Sequence, residues 1–88
     1  METHKELSIF IKKLTAEDRL PDAIQLLIEV CGKISTEFFD SAVLLSLEIA
    51  SLEKAEINGI VSWEEKQRQK NKLAHRLLKL TNLALNYQ

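Results

Sequence analysis

Between Asn58 and Glu65 this chain stops one helix and starts another. Asn58-Gly59 reads as a stop, because the residue just past a helix end often needs positive φ and glycine adopts it without a Cβ clash. Three residues on, Ser62 and Glu65 have the S-x-x-E spacing of a capping box. There the N–H of Glu65 donates to the Ser62 hydroxyl and the N–H of Ser62 to the Glu65 carboxylate. A stop and a start this close predict a tight helix–helix corner, with Ile60, Val61 and Trp63 as the apolar residues available to pin it.

Upstream of the corner the apolar pattern is helical throughout. Thr3 and Glu6 repeat the capping spacing and start a first helix, whose Leu7, Phe10, Ile11 and Leu14 form one stripe. It is predicted to end near Glu17-Asp18, with Asp18 in the left-handed turn position. Ile9 falls off the stripe, amid Glu2, Lys5, Lys12 and Lys13. Pro21 belongs in the first turn of a second helix, where its missing N–H costs nothing, and Asp22 suits the positive end of that helix. Ala23, Ile24, Leu27, Ile28 and Cys31 make its apolar face, and Gly32 is the expected stop. The short link predicts an antiparallel αα-hairpin.

Ser35 or Thr36 caps a third helix, from about Glu37 to Asn58. Phe38, Ala42, Leu45, Ile49 and Leu52 form one stripe, and Phe39, Val43, Leu47 and Ala50 form a second beside it. A helix apolar over so much of its circumference is expected to be central and packed on two sides. Leu44 stands alone in the middle of its polar face. The fourth helix, from about Trp63, opens with Lys66 to Lys72, seven residues of which none is apolar. These first turns either rest on the bundle through aliphatic stems or project into solvent. Leu73, Ala74, Leu77, Leu78 and Leu83 then supply an apolar face. Asn71 lies close to its inward direction, which predicts a buried hydrogen bond to a neighbouring corner.

At 88 residues this is a single domain, residues 1–88, with two Gly and one Pro and 45 % hydrophobic residues. No apolar run approaches the roughly 18 residues needed to cross a bilayer, so no membrane role is expected. One cysteine fits a reducing cytoplasm. The net charge of −1 hides a split. Residues 1–63 hold 6 Lys/Arg against 11 Asp/Glu, and residues 64–88 hold 6 against 2, so an acidic body of −5 precedes a basic segment of +4. Such a molecule can attract copies of itself head to tail.

Catalysis has little to stand on. Cys31 lies on an apolar helix face with no charged neighbour to lower its pKa, which marks a structural cysteine. His4, His75 and Cys31 lack the spacing of a metal site, no glycine-rich phosphate loop occurs, and no cofactor is expected. The basic segment is the usual footprint of nucleic-acid binding, yet no aromatic residue interleaves it, and the whole chain is acidic. Leu14 to Leu27 could pass for part of a TPR repeat, but a single hairpin has nothing to stack on.

The segment from Leu14 through Asp18, Leu20-Pro21-Asp22-Ala23-Ile24 and on to Leu27 resembles the first hairpin of the bacterial effector-associated domains, class eleven. Gly59-Ile60-Val61-Ser62-Trp63-Glu64-Glu65, followed by Asn71-Lys72-Leu73 and Leu77-Leu78, resembles that family's second signature. The departures are Asp18, where the family tends to have Gly, and the bulky Trp63. The resemblance spans roughly residues 5–83. It implies a small death-domain-like helical module of bacterial conflict and immunity systems, set at one end of a protein whose other end is an effector such as a protease, a TIR domain or an NTPase. It further implies an adaptor without catalysis of its own, bound by a matching effector-associated domain or by itself.

The expected architecture is an all-α, compact four-helix bundle with a central third helix and a long basic fourth helix. The expected role is a cytoplasmic, homotypic protein–protein interaction module that can form a homo-oligomer. Its candidate contact residues are Ile9, Leu44, Lys66, Arg68, Lys70, Lys72 and Arg76. Gly59, Ser62, Trp63, Glu65 and Asn71 form the structural corner. The expected contact sets the basic fourth helix of one copy against acidic surface on helices two and three of another. The alternative is a small nucleic-acid-binding regulator using the fourth helix.

Overall fold

The computed structural model describes residues 4–85. Four helices follow one another: α1 (His4–Ala16), α2 (Leu20–Cys31), α3 (Thr36–Ile57) and α4 (Trp63–Leu85). Among the described residues there is no strand, so the chain is the all-α four-helix bundle that its periodicity predicts. The Thr3 cap lies outside the described residues.

Two of the helix ends share one device. Asp18 has φ 63° and Gly59 has φ 69°. Asp18 N–H donates to the Thr15 carbonyl at 3.1 Å and Arg19 N–H to that of Leu14 at 2.9 Å. Gly59 N–H donates to Glu56 at 3.0 Å and Ile60 N–H to Ala55 at 2.8 Å. Each is a Schellman motif, which satisfies carbonyls that the helix end would otherwise leave open. Gly32 stops α2 differently, with φ −60°. Positive φ is not what that glycine supplies; a Cβ there would come within 3.3 Å of Phe39 Cδ1.

The starts are weaker than their sequence signatures. Ser35 is extended at the N-cap of α3, yet makes no side-chain capping bond. At α4, Glu65 N–H donates to Ser62 Oγ at 3.2 Å. The Glu65 carboxylate turns instead to Gln69, at 3.0 Å, and to Arg68. Half of the capping box forms, because partners one turn ahead on the helix face compete for the carboxylate.

α2 and α4 each touch all three other helices, whereas α1 and α3 do not touch one another. α3 is therefore packed on two sides, by α2 and α4, as expected of it. Ala42, Leu45, Ile49 and Leu52 are buried as expected. Of its second stripe, Phe39, Leu47 and Ala50 face solvent and Val43 is half-buried. With no element on its outer side, α3 cannot cover both stripes. On α1 the buried line runs through Ser8, Ile11 and Leu14, and Phe10 is left 53 % exposed. Meeting α2 and α4 together turns α1 slightly, toward Ser8 and away from Phe10. The core centres on Ile11, Leu27, Cys31, Leu77 and Thr81, all essentially inaccessible. Thr81 is tolerated there because its Oγ1 donates to the Leu77 carbonyl at 2.8 Å.

Element length accounts for the corner. α1 and α2 have 13 and 12 residues, α3 and α4 have 22 and 23. The short hairpin covers about half of the long one, so the α3–α4 turn projects beyond it. Ile60 and Trp63, expected to pin the corner, are 74 % and 73 % exposed as a result, and Val61 is half-buried.

Candidate functional site

The basic residues of α4 divide into those engaged within the molecule and those left outward. Lys66 pairs with Glu56, near the end of α3, and Lys70 with Asp18, in the α1–α2 turn. Each of these lysine side chains is only 18 % exposed. The first turns of α4 thus rest on the bundle through aliphatic stems, and their ammonium groups reach carboxylates of the acidic body. Arg76 pairs with Glu48 of α3 at 2.7 Å. That hydrogen bond, with the charge behind it, holds the Glu48 carboxyl below its ordinary range and the Arg76 guanidinium above its own. Arg68 pairs within α4 with Glu65, whose carboxyl is held low first by the Gln69 amide and then by Arg68 and Lys72.

The split between acidic body and basic helix is therefore neutralised largely inside one copy. Three of the five basic candidates hold α4 to α3 and to the first turn, and only Lys72 has no ion pair among the described residues. Sequence alone could not show this, since none of the carboxylates that hold α4 lies on α4 itself. Asn71, expected to be buried, is exposed. The inward direction of α4 runs through Leu73, Leu77, Thr81 and Ala84, which leaves Asn71 on the outer side.

A cleft of about 290 Å³ opens where the α1–α2 turn meets the end of α3 and the start of α4. Leu20, Ile49, Leu52 and Leu73 line it below, and the Lys66–Glu56 and Lys70–Asp18 pairs stand at its edge. These two pairs neutralise one another, while Glu53, which also lines the cleft, forms no ion pair among the described residues. The Cys31 thiol is elsewhere, in the core, where burial pushes its pKa up to about 11. Among the described residues no group of three or more His, Cys, Asp or Glu could hold a metal ion. No helix there is long and apolar enough to cross a membrane.

The apolar candidates are exposed. Ile9 is 57 % and Leu44 60 % accessible, on the two helices that do not touch. Sequence reasoning missed their neighbours. Phe10 lies beside Ile9, and Leu47, one turn beyond Leu44, is 60 % exposed. Both sit on apolar stripes that the periodicity predicts to face inward, and no local signal separates an inward stripe from one that lacks a covering partner.

The family described as Effector-associated domain 11 matches residues 10–84, nearly the whole described fold. The chain belongs to that family. No curated protein and no solved structure matches it. Within this effector-associated domain the match takes in both Schellman turns, the α3–α4 corner and every candidate contact residue except Ile9.

Proposed function

We propose that this effector-associated domain is a non-catalytic adaptor that associates with its own kind and couples an effector to its trigger in a bacterial immunity or conflict system. Membership of the effector-associated family carries the reading. The surface supports it, because large aliphatic and aromatic side chains stand exposed on three separate parts of the bundle: α1, α3 and the α3–α4 corner. Charge within the copy mainly fixes α4, so exposed apolar side chains are the stronger source of association energy. The domain acts in the cytoplasm, consistent with its single buried thiol.

Nucleic-acid binding by α4 is the weaker reading. Lys66, Lys70 and Arg76 already carry carboxylate partners, and a phosphate backbone would have to displace them. The test is sedimentation of the purified domain over a concentration series, alone and with a second effector-associated domain. Concentration-dependent association is expected. A chain that stays monomeric and ignores other such domains, yet binds duplex DNA at physiological salt, would reverse the assignment.

A further inference from the structure

The two helices that never touch inside one copy carry faces that suit each other. On α1, Ile9 and Phe10 are more than half exposed. Ile9 has Lys5 and Lys13 four residues to either side and Lys12 three residues on, which on a helix makes them its surface neighbours. Glu6 is the one acid among those positions. On α3, Leu44 and Leu47 are both 60 % exposed, one turn apart. Asp40 and Glu48 lie four residues to either side of Leu44, and Glu37 one turn beyond Asp40. Glu48 is shared with Arg76, whereas Glu37, Asp40 and the three lysines form no ion pair among the described residues. One face is apolar with a lysine rim, the other apolar with an acidic rim, and each lacks a covering element.

We infer that α1 of one copy docks on α3 of the next, with Ile9 and Phe10 packed against Leu44 and Leu47 and the lysine rim facing Glu37 and Asp40. This rests on the self-association reading and specifies its surface. The contact is heterologous, because the two patches differ, so each copy keeps one free face after pairing. α1 and α3 stand on the far diagonal of the bundle, with α2 and α4 between them, so the two faces point away from each other and the assembly runs on from copy to copy. Two helix faces bury an area at the low end of specific interfaces, below about 1,200 Å² in total. The contact is correspondingly weak for an isolated domain and gains strength when copies are held together.

The test uses two surface variants of the 88-residue chain, Ile9→Glu and Leu44→Lys, each placing the wrong charge in its patch. Both positions are exposed, so far-UV circular dichroism and thermal midpoint should stay near wild type. Sedimentation up to about 1 mM, where even a contact of about −4 kcal/mol is half-populated, should show assembly of the wild type. Each variant alone should assemble at least about tenfold more weakly, the scale of a lost central anchor. The mixture is decisive: the intact α3 of Ile9→Glu can meet the intact α1 of Leu44→Lys, restoring the association that each variant alone has lost. A wild type that remains monomeric throughout overturns both the self-association reading and this surface. A wild type that assembles while either variant assembles equally well, or variants that fail even when mixed, overturns this surface alone.

Discussion

Lys70 of α4 reaches Asp18, the one non-glycine residue with positive φ among the described residues. The strained turn between α1 and α2 is thereby tied to the apolar-free opening of α4. Two effects oppose each other at Asp18. Glycine would relieve roughly 1 kcal/mol of left-handed strain, but would lose an ion pair worth about 0.2–1 kcal/mol where one partner is well exposed. Asp18→Gly should therefore be as stable as wild type or slightly more so, and Lys70→Ala slightly less. Urea midpoints give the order directly, and Asp18→Gly falling below wild type would show that the ion pair outweighs the backbone.

The two glycines should respond differently to alanine. Gly59 has φ 69° and nothing within 4 Å of an added Cβ, so the cost is backbone strain alone, about 1–2 kcal/mol. In a domain of this size that lowers the thermal midpoint by roughly 4–16 °C. Gly32 has φ −60°, and an added Cβ there would press on the partly exposed Phe39 ring, which can give way, and make ordinary contacts with the Ile28 and Glu29 carbonyls at 3.4 and 3.6 Å. Gly32→Ala should stay within about 0.5 kcal/mol of wild type, the reduced entropy of the unfolded chain offsetting the tighter contact. Calorimetry of the two variants side by side checks the contrast, and equal losses would mean that the Phe39 ring is held more firmly than its exposure implies.

Cys31 should be unreactive in the native protein. It is inaccessible and its pKa is pushed up to about 11, so at pH 8 almost no thiolate is present or reachable. A chromogenic disulfide reagent should label it at a rate set by opening of the bundle, and immediately in concentrated urea. Fast native labelling would place the thiol at the surface.

The Glu48–Arg76 pair gives a small acid-side dependence. The carboxyl is held below its ordinary value of 4.5 in the folded state. Its contribution is thus complete above that value and disappears as pH falls through the lowered one. With both side chains about half exposed, that contribution is about 0.2–1 kcal/mol. Glu48→Gln should trail wild type by that amount at pH 7, and the gap should close in acid once the pH lies below the lowered value and the carboxyl is protonated in both states. A gap that persists in acid would assign the loss to packing instead.

What could be foreseen from the residues was whatever depends on neighbours close in sequence. The four helices, the left-handed Asp18 and the Gly59 stop follow from spacing and from φ preference. The outward placement of Ile9 and Leu44 follows from their standing alone on polar faces. Phe10 and Leu47 fall on stripes predicted to face inward, because periodicity reports that a face is apolar, not whether anything lies across from it, and Trp63 is expected to pin a corner that nothing covers. Here two short helices cannot cover two long ones. The pairing of Lys66, Lys70 and Arg76 was equally hidden, because Glu56, Asp18 and Glu48 reach them only after the chain has turned.

The uncovered corner also determines how the protein can be watched. Its only tryptophan, Trp63, is 73 % exposed in the native fold. The indole is already bathed in water, so its emission should start near the long-wavelength limit and move little as the helices melt. A fluorescence titration would then carry little amplitude, and helical ellipticity is the signal that follows its unfolding.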